Sequence, residues 1–439
     1  MKKYSKYKDS NFFLLGDIPS DWFCTSLKRL TEVKDGTHDT PSYIDDKENG
    51  VPFITSKDVF DGSVSFDECK YISYTDYINI NKRSNVTKGD LIMPMIGSIG
   101  SPVVVESERN FSIKNLALIK GNKSINIKFV KYYLESETTI NQLKLLTSGG
   151  VQNFISLGDL RNFKIVKPTL EEQTQIAAYL DYKTNQIETL ISNKQKLIEL
   201  LHEERIAIVN QAVTKGINPK TKLKPSGIDW LGEVPEHWTV SKVGYVSKVI
   251  RGASPRPAGD PLLFNGDFMP WITVKEVTNA SGKFITSTET FLTELGSQQT
   301  RIIEPETLIL SNSGATLGVP RITLIKGAIN DGSVAFLNLS IEREFLYYFF
   351  ETHTKIYRDE ASGYGQPNLN TEIVKSTPIP IPPIKEQKRI IELIEKKQKR
   401  IDTIIFKTEQ EIELMKEYKT ALISEVVTGK VDVRDEVIG

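Results

Sequence analysis

Cysteine is scarce in this chain, and the cysteines present do not form a metal-binding pattern. Cys24 and Cys69 are the only two among 439 residues, and no Cys-X-X-Cys or histidine-rich spacing accompanies them. We therefore expect neither a disulfide framework nor a zinc site, and no metal-binding residues are predicted. Two ordinary thiols are typical of a reducing compartment, so the expected location is cytoplasmic.

Long apolar runs and net charge are also missing. No stretch approaches the ~18 apolar residues that a membrane-spanning helix needs, so no membrane contact is expected. The basic start, MKKYSKYKDS, has no apolar segment after it and does not resemble a secretory signal. Lys and Arg total 56, as do Asp and Glu. This balance argues against a general cationic coat for DNA but leaves local basic surfaces open.

The sequence contains none of several common catalytic signatures. There is no GxxxxGK[ST] loop for ATP, no GxGxxG, no HExxH, and no Asn-Pro-Pro-aromatic segment of the kind amino-methyltransferases use. The four histidines, His38, His202, His237 and His353, are scattered and do not recur at a common spacing. No catalytic residue is predicted.

What the chain does contain is an internal repeat. GDIPSDW (16–22) returns as GEVPEHW (232–238), and Trp238 minus Trp22 is a lag of 216 residues. VPFITSKDV (51–59) matches MPWITVKEV (269–277), and FVKYYLES (129–136) matches FLYYFFET (345–352). Later in each half the lag is 214, where Glu172-Gln173 matches Glu386-Gln387. Self-similarity in the same order along the chain indicates two copies of one structural unit.

Each half divides into a mixed domain and a long helix. Short apolar runs separated by Gly, Pro, Asn and Asp predict strands of an α+β domain. The segments that start at KPTLEEQ (167–173) and PPIKEQ (382–387) each predict one long helix. The predicted divisions are a first domain (1–167), a central helix (168–215), a linker with a second domain (216–381), and a distal helix with a tail (382–439).

Both predicted helices carry an apolar seam at heptad spacing. One long helix cannot bury such a stripe alone, so we expect the two helices to pack against each other. A pseudo-two-fold repeat would make them antiparallel. The expected seam residues are Ile176, Leu180, Ile187, Leu190, Leu197 and Leu201 in the central helix, and Ile390, Ile394, Ile401, Ile404 and Met415 in the distal helix.

The linker TKGINPKTKLKPSG (214–227) has its counterparts at the two ends of the sequence. Its first part matches TGKVDVRDEV (428–437), and its second part matches KYKDS near residue 10. We therefore expect these two terminal segments to meet in space, which would make the molecule pseudo-circular.

Over its full length the sequence resembles the specificity subunits of type I restriction-modification systems. The resemblance rests on the duplicated G[DE][IV]P..W turn, the P.[LI].EQ helix start, and the endings QAVTKGIN and EVVTGKVDVR. It implies two target recognition domains, each reading one half of a split asymmetric double-stranded DNA sequence, with the helices as spacer. It also implies two methyltransferase subunits and two restriction subunits as partners. S-adenosylmethionine, ATP and magnesium would then belong to those partners, and no cofactor to this chain.

The residues that contact DNA are predicted in loops rich in Gly, Asn, Arg and Lys. Arg side chains can pair with guanine or phosphate, and Asn or Gln side chains can read adenine. Lys57 and Lys275 hold equivalent positions, which indicates a shared phosphate contact or a shared turn. The candidates are Lys34, Thr37, Lys57, Lys114, Asn115, Gln152 and Asn153 in the first half, and Arg251, Arg256, Lys275, Asn312, Asn330, Gln366 and Asn368 in the second.

Two other interpretations stay open at this point. A coiled-coil scaffold could join other proteins without reading DNA. A stand-alone endonuclease or methylase could use a site that no signature reveals. Exchange of one domain would distinguish the first, and incubation of the chain alone with DNA and S-adenosylmethionine would distinguish the second.

Overall fold

A computed structural model describes residues 2–60, 62–96, 101–147, 154–313, 316–361 and 369–438. The chain forms two compact units, of which the first combines two separate segments and the second is one continuous segment. Unit 1 comprises Met1–Gln195 and Glu409–Gly439, and unit 2 comprises Lys196–Thr408. Across the described residues, none of the helices has an apolar stretch long enough for a bilayer crossing.

The elements up to residue 215 belong to the first half of the repeat. The helices are α1 (Tyr74–Asn81), α2 (Ile127–Glu135), α3 (Glu137–Thr147), α4 (Leu157–Asn162) and α5 (Leu170–Lys215). The strands are β1 (Tyr7–Asp9), β2 (Asp17–Pro19), β3 (Phe23–Ser26), β4 (Glu32–Asp35), β5 (Tyr43–Ile44), β6 (Val51–Ile54), β7 (Val59–Phe60), β8 (Ser63–Val64), β9 (Lys70–Ile72), β10 (Leu91–Pro94), β11 (Val103–Val104), β12 (Ser112–Ile113), β13 (Leu116–Lys120) and β14 (Lys164–Lys167).

The second half repeats this order with small changes. Its helices are α6 (Val243–Val246), α7 (Val274–Asn279), α8 (Glu294–Ser297), α9 (Arg343–Ala361), α10 (Thr371–Ser376) and α11 (Ile384–Val427). Its strands are β15 (Leu223–Pro225), β16 (Glu233–Pro235), β17 (Thr239–Lys242), β18 (Lys248–Arg251), β19 (Phe264–Ile272), β20 (Phe284–Ile285), β21 (Phe291–Leu292), β22 (Arg301–Ile303), β23 (Thr307–Ser311), β24 (Pro320–Thr323), β25 (Gly327–Ile329), β26 (Ser333–Leu337) and β27 (Pro378–Ile381).

The central sheet of each unit contains four antiparallel strands in the same order. In unit 1 the order is β11-β10-β13-β4, and in unit 2 it is β24-β23-β26-β18, with β20 added in parallel beside β24. In both units a second sheet contains a parallel pair, β6 with β12 and β19 with β25. Buried runs such as LALIK in β13 and SVAFL in β26 fill the core on both faces of their sheets. The mixed α+β class predicted from the sequence is confirmed.

The long helices run antiparallel within each unit. In unit 1, Lys194 pairs with Glu411, and Glu188 pairs with Lys419. A higher residue number in α5 therefore meets a lower residue number in α11, as in an antiparallel pair. In unit 2, Arg205 pairs with Asp402, and the end of α5 at Val213 shares a core with the start of α11 at Ile390. The predicted antiparallel arrangement is therefore present in each unit.

Most of the expected seam residues are buried or partly buried, but two leucines are not. Leu190 and Leu197 are 49% and 41% exposed, whereas Ile191 and Ile198 pack against the buried clusters. An α-helix has 3.6 residues per turn, so a strict 3.5 repeat drifts around its surface and the inward position moves by one residue. The other expected residues are buried or partly buried in these clusters: Ile176, Leu180, Ile187, Leu201, Ile390, Ile394, Ile401, Ile404 and Met415.

The repeated tryptophan turn anchors each mixed domain to the start of a long helix. The indole nitrogen of Trp22 donates to Glu172 Oε2 at 2.9 Å, and that of Trp238 donates to Glu386 Oε2 at 3.2 Å. Both rings are almost completely buried. The turn is repeated because its tryptophan both fills the core and donates to a first-turn glutamate, which the helix dipole also favours.

The glutamine that follows each glutamate joins the same frame. Gln173 accepts from the backbone of Asn126 at 2.8 Å, and Gln387 accepts from the backbone of Glu342 at 2.8 Å. The side-chain amide of each glutamine also donates to a proline carbonyl five residues earlier, at 3.0 and 2.8 Å. A buried amide with both ends satisfied fixes the start of the helix against the domain. This explains the Glu-Gln pair in the repeated helix start.

The terminal segments of the chain meet within unit 1, as predicted. The backbone of Asp432 donates to Lys2 at 2.9 Å, and the Tyr7 hydroxyl donates to the carbonyl of Gly429 at 3.2 Å. Strand β1 pairs with β2, and β15 in the linker pairs with β16 in the same antiparallel register. The linker therefore holds in unit 2 the place that the terminal segments hold in unit 1.

Candidate nucleic-acid interface

Two backbone segments cross closely at the edge of the central sheet in each unit. In unit 1 the backbone of Thr37 donates to Ile113 at 3.1 Å, and in unit 2 Ala253 donates to Ile329 at 3.1 Å. The residues before the donors are Gly36 and Gly252. A Cβ atom on either glycine would overlap a backbone carbonyl oxygen of the other segment. Glycine is needed here because only a residue without a side chain allows this approach.

The crossing brings together several predicted residues of unit 1. Thr37 forms a parallel bridge with Lys114, and the Lys114 ammonium contacts the Thr40 hydroxyl. Asn115 follows with φ of 56° and is half-buried. Lys34 lies on β4, where its ammonium is 3.0 Å from the carboxylate of Glu32. A short loop pair therefore presents amide, hydroxyl and ammonium groups on one surface.

The electrostatic centre of this surface is a buried carboxylate that the sequence pattern did not single out. The Asp35 side chain is 7% exposed and accepts two bonds from the guanidinium of Arg83, at 2.9 and 2.8 Å. The Nε2 atom of His38 lies 2.8 Å from the same carboxylate. His38 is itself 59% exposed and its Nδ1 atom lies 3.4 Å from Asn115 Oδ1. We name Asp35, Thr37, His38, Lys114 and Asn115 the unit 1 polar cluster.

The crossing in unit 2 gathers a different set of side chains around Asp331. Arg251 Nε donates to the backbone carbonyl of Asp331 at 2.8 Å, and Asn312 Nδ2 donates to the same carbonyl at 3.4 Å. The carboxylate of Asp331 accepts from the Ser254 hydroxyl at 2.5 Å and lies 3.8 Å from the guanidinium of Arg256. We name Arg251, Ser254, Arg256, Asn312 and Asp331 the unit 2 polar cluster.

The two asparagines predicted in unit 2 differ in exposure. Asn312 is fully buried, and its Oδ1 atom has no hydrogen-bond partner among the described residues. Asn330 is half-buried, and its backbone donates to Ile272 at 3.1 Å, as Lys114 donates to Ile54 at 2.9 Å in unit 1. Because Asn312 has no exposed surface, it is not presented to DNA as the sequence predicted, and its Nδ2 atom instead supports the crossing from inside.

The predicted equivalence of Lys57 and Lys275 is reproduced in the local structure. Each lysine follows a capping residue, Thr55 or Thr273, whose hydroxyl and backbone bond an acidic residue three positions later. Lys57 is exposed, whereas Lys275 pairs with Glu289 at 2.6 Å, which raises the pKa of the Lys275 ammonium. The two ammonium groups therefore start from the same backbone frame with different partners.

Four of the predicted residues cannot be placed. Gln152, Asn153, Gln366 and Asn368 lie outside the described residues. Among the residues that are described, no group of three His, Cys, Asp or Glu side chains is arranged to hold a metal ion.

Sequence reasoning missed the residues that organise both clusters. Asp35, Arg83, His38, Ser254 and Asp331 were not among the candidates, although four of them fall inside or beside predicted loops. Arg83 follows helix α1 and is 48 residues from its partner Asp35. No local sequence pattern predicts a contact between residues so far apart in the chain. A polar residue two positions after each crossing glycine, His38 or Ser254, is the one signal that could have been used.

The sequence profile of the type I restriction modification DNA specificity domain matches the chain twice. The matched residues are 19–200 and 235–414, which together make up most of the chain. The two matches follow the internal repeat and include both polar clusters. This is independent support for the duplication found in the sequence.

Full-length relatives and solved structures agree with the profile. The type I restriction enzyme MjaVIII specificity subunit of Methanocaldococcus jannaschii is 25% identical over 446 residues, covering 98% of each chain. A chain from a study of complex assembly and conformational transition of the type I R-M system has a TM-score of 0.70 at 16% identity, covering 94% of this chain and 99% of that one. The HsdS subunit of Thermoanaerobacter tengcongensis has a TM-score of 0.57 at 16% identity, with coverage of 94% and 98%. The chain belongs to the type I restriction-modification DNA specificity family, as a non-catalytic specificity subunit whose role is DNA recognition.

Proposed function

We propose that this chain reads a split, asymmetric DNA sequence, with one recognition domain for each half. Residues 1–167 and 216–381 would be the two readers. The observation that carries this proposal is the pair of equivalent glycine crossings, Gly36 and Gly252, which display different polar side chains on one backbone frame. Base recognition needs donors and acceptors on a rigid support, and two unlike sets of side chains would select two unlike half-sites.

The predicted contacts divide into two kinds. Asn115, Asn330, Arg251 and Arg256 lie at or beside the crossings and would reach base edges. Asn312 is fully buried and would instead support the crossing through its bond to the Asp331 carbonyl. Lys34, Lys57, Lys114 and Lys275 would contact phosphates, which fix position without reading sequence. Gln152, Asn153, Gln366 and Asn368 stay predictions from their glycine-rich sequence context, and Thr37 from its place at the crossing.

The long helices would carry the partner subunits. Within unit 1, Leu190, Leu414 and Tyr418 are about half-exposed or more, and within unit 2 so are Ile206 and Phe406. Apolar residues left exposed on a helix pair suit a docking surface for other proteins. We propose two methyltransferase subunits there, with two restriction subunits in the larger assembly. S-adenosylmethionine, ATP and magnesium would be held by those partners in the cytoplasm, not by this chain.

Partner subunits would also account for the neutral charge of the chain. DNA affinity depends largely on phosphate neutralisation, and a chain with equal numbers of acidic and basic residues supplies little of it alone. Methyltransferase subunits that close around the DNA would supply the remaining cationic contacts.

The experiment that tests the proposal maps methylated adenines in a genome that carries this chain together with its partners. We expect one split motif with two unlike halves. Replacing residues 1–165 with the corresponding domain of a relative should change one half of that motif and leave the other half intact. A motif that changes in both halves, or methylation by the purified chain alone, would refute the proposal.

A second experiment tests the helices as a spacer. Inserting seven residues into each of α5 and α11 adds about 10 Å of helix at ~1.5 Å per residue. At about 3.4 Å per base pair, the gap between half-sites should lengthen by about three base pairs. An unchanged gap would remove the spacer role while leaving the two readers in place.

A further inference from the structure

The two polar clusters contain one pair of side chains at corresponding places that differ in chemistry. His38 in unit 1 and Ser254 in unit 2 both stand two positions after the crossing glycine. His38 lies against Asn115, and Ser254 lies against Asp331. Asn115 and Asp331 belong to the same connection, the one that follows β12 or β25 and leads into the central sheet.

This connection also differs in length between the units. Two residues, 114–115, separate Ile113 from β13, whereas three residues, 330–332, separate Ile329 from β26. The backbone frame on either side is unchanged, because Thr37 and Ala253 make the same bond to Ile113 and Ile329. The insertion is therefore confined to the residues that face His38 or Ser254.

The imidazole of His38 is held in a defined orientation although it is exposed. Asp35 is a carboxylate that only accepts, so the Nε2 atom of His38 carries the proton between them. Arg83 fixes Asp35 with two bonds, which leaves the carboxylate little freedom to turn. The other ring nitrogen, Nδ1, lies 3.4 Å from Asn115 Oδ1, so the ring packs against that amide and limits how it can turn.

In unit 2 a hydroxyl stands in the place of the ring, and a carboxylate stands in the place of the amide. The Ser254 hydroxyl donates to the Asp331 carboxylate, which lies 3.8 Å from the Arg256 guanidinium, while Arg251 Nε donates to the backbone carbonyl of Asp331. Arg256 is 71% exposed and thus free to bond a ligand. An oriented amide and an oriented arginine-carboxylate group offer different donors and acceptors to a base edge.

We propose that His38 with Asn115, and Ser254 with Asp331, are specificity-determining pairs that choose the preferred base at one equivalent position of each half-site. This inference rests on the proposed function and adds the residues that set its specificity. His38 and Ser254 are positioning residues in these pairs, since each orients the neighbour that faces the base.

The test uses the full chain expressed with its methyltransferase partner, and the motif is read from genomic methylation. His38→Ser, Asn115→Asp and the double variant place the unit 2 pair in the unit 1 frame. At one position of the first half-site we expect the base preference to relax or change by about tenfold, the effect of one lost base contact. The second half-site and the gap should stay unchanged, which also reports that the chain is folded and assembled.

Ser254→Ala is the matched variant in unit 2, and it should alter the second half-site alone. An unchanged motif in the unit 1 variants would overturn the inference, as would equal weakening on all sequences with a shallower salt dependence, the mark of a phosphate contact. A wild-type chain without a split motif would instead remove the proposed function itself.

Discussion

Unit 1 and unit 2 agree where the mixed domain meets the long helices and differ where it meets solvent. Trp22 with Glu172 and Trp238 with Glu386 form the same buried bond. At the glycine crossings, by contrast, one unit presents a histidine and the other a serine beside an aspartate. The comparison teaches that a duplicated chain keeps the residues that attach a domain and varies those that the domain displays. The attachment depends on close packing around a buried ring, which restricts substitution, whereas residues at the crossing face solvent and can change without loss of that packing.

The strongest test of the shared frame removes its tryptophans. Trp22→Ala and Trp238→Ala should each lower the free energy of unfolding of their unit by about 3–5 kcal/mol, because a fully buried ring and its hydrogen bond are lost. Chemical denaturation followed by circular dichroism and hydrogen exchange measures the loss. Trp230→Ala is the control, since Trp230 is only partly buried and should cost less. Very unequal losses at Trp22 and Trp238 would break the equivalence.

A difference in acid sensitivity should distinguish the two units. His353 is buried against Trp230, Phe349 and Tyr357, and burial lowers its pKa from 6.5 to about 4. The unfolded chain then binds the proton more readily, so stability is kept above pH 6.5 and declines as the pH falls towards 4. The loss at the acid end is about 3 kcal/mol, at ~1.4 kcal/mol per pKa unit. Unit 1 has Glu137 at the corresponding position, 216 residues earlier.

Hydrogen exchange of α9 and α2 at pH 7 and pH 4.5 measures this difference directly. The α9 segment of unit 2 should lose protection at pH 4.5, and His353→Phe should remove the share of this loss that protonation of His353 causes. If the variant kept the full acid response of α9, some other group would be responsible.

The glycine crossings should tolerate no side chain. Gly36→Ala and Gly252→Ala force a Cβ against a backbone carbonyl, which should cost about 1–3 kcal/mol and disturb only the half-site of the altered unit. Gly158→Ala in α4 is the control: its nearest neighbour would be 3.6 Å away, and alanine should stabilise the helix by up to ~1 kcal/mol. Denaturation and motif mapping measure both effects. Unaltered recognition in the first two variants would show that the crossing does not support the reading surface.

The smallest expected effect concerns the equivalent lysines. Lys57→Ala and Lys275→Ala should each weaken DNA binding equally on all sequences and reduce the salt slope by about one. Lys275→Ala should have the weaker effect, because Lys275 must first leave Glu289. Titrations of the assembled complex at several salt concentrations provide the measurement. A change confined to one base position would mean that the lysine reads sequence.

The helix seam shows how far a sequence pattern reaches. Ile176, Leu180 and Ile187 are buried in a cluster that contains residues of the mixed domain as well as of α11. Further along, Leu190 and Leu197 turn outward and Ile191 and Ile198 take their place. Apolar residues repeating every 3.5 positions and every 3.6 positions fall on the same helix face over about two turns, but on different faces after about five turns.

The sequence indicated which loops would contain the candidate site, but not which side chains bond to one another there. Loop composition located Lys114, Asn115 and Arg251, and the lag of 216 residues paired Lys57 with Lys275. The sequence did not reveal that Asp35 bonds both Arg83 and His38, since these residues come from a strand, a helix end and a loop. Such contacts depend on how the sheet brings distant segments together.

By itself, the sequence determined that the chain is duplicated, that each half joins an α+β domain to a long helix, and that the helices pair in opposite directions. Those features follow from the order of motifs and from the spacing of apolar residues, both of which can be read along the chain without knowing which distant segments are in contact. Only the tertiary structure decided which groups the two domains display, because a hydrogen bond between His38 and Asp35 or between Ser254 and Asp331 requires atoms within about 3 Å of each other. Proximity of that kind is set by packing, and no spacing in the sequence encodes it directly.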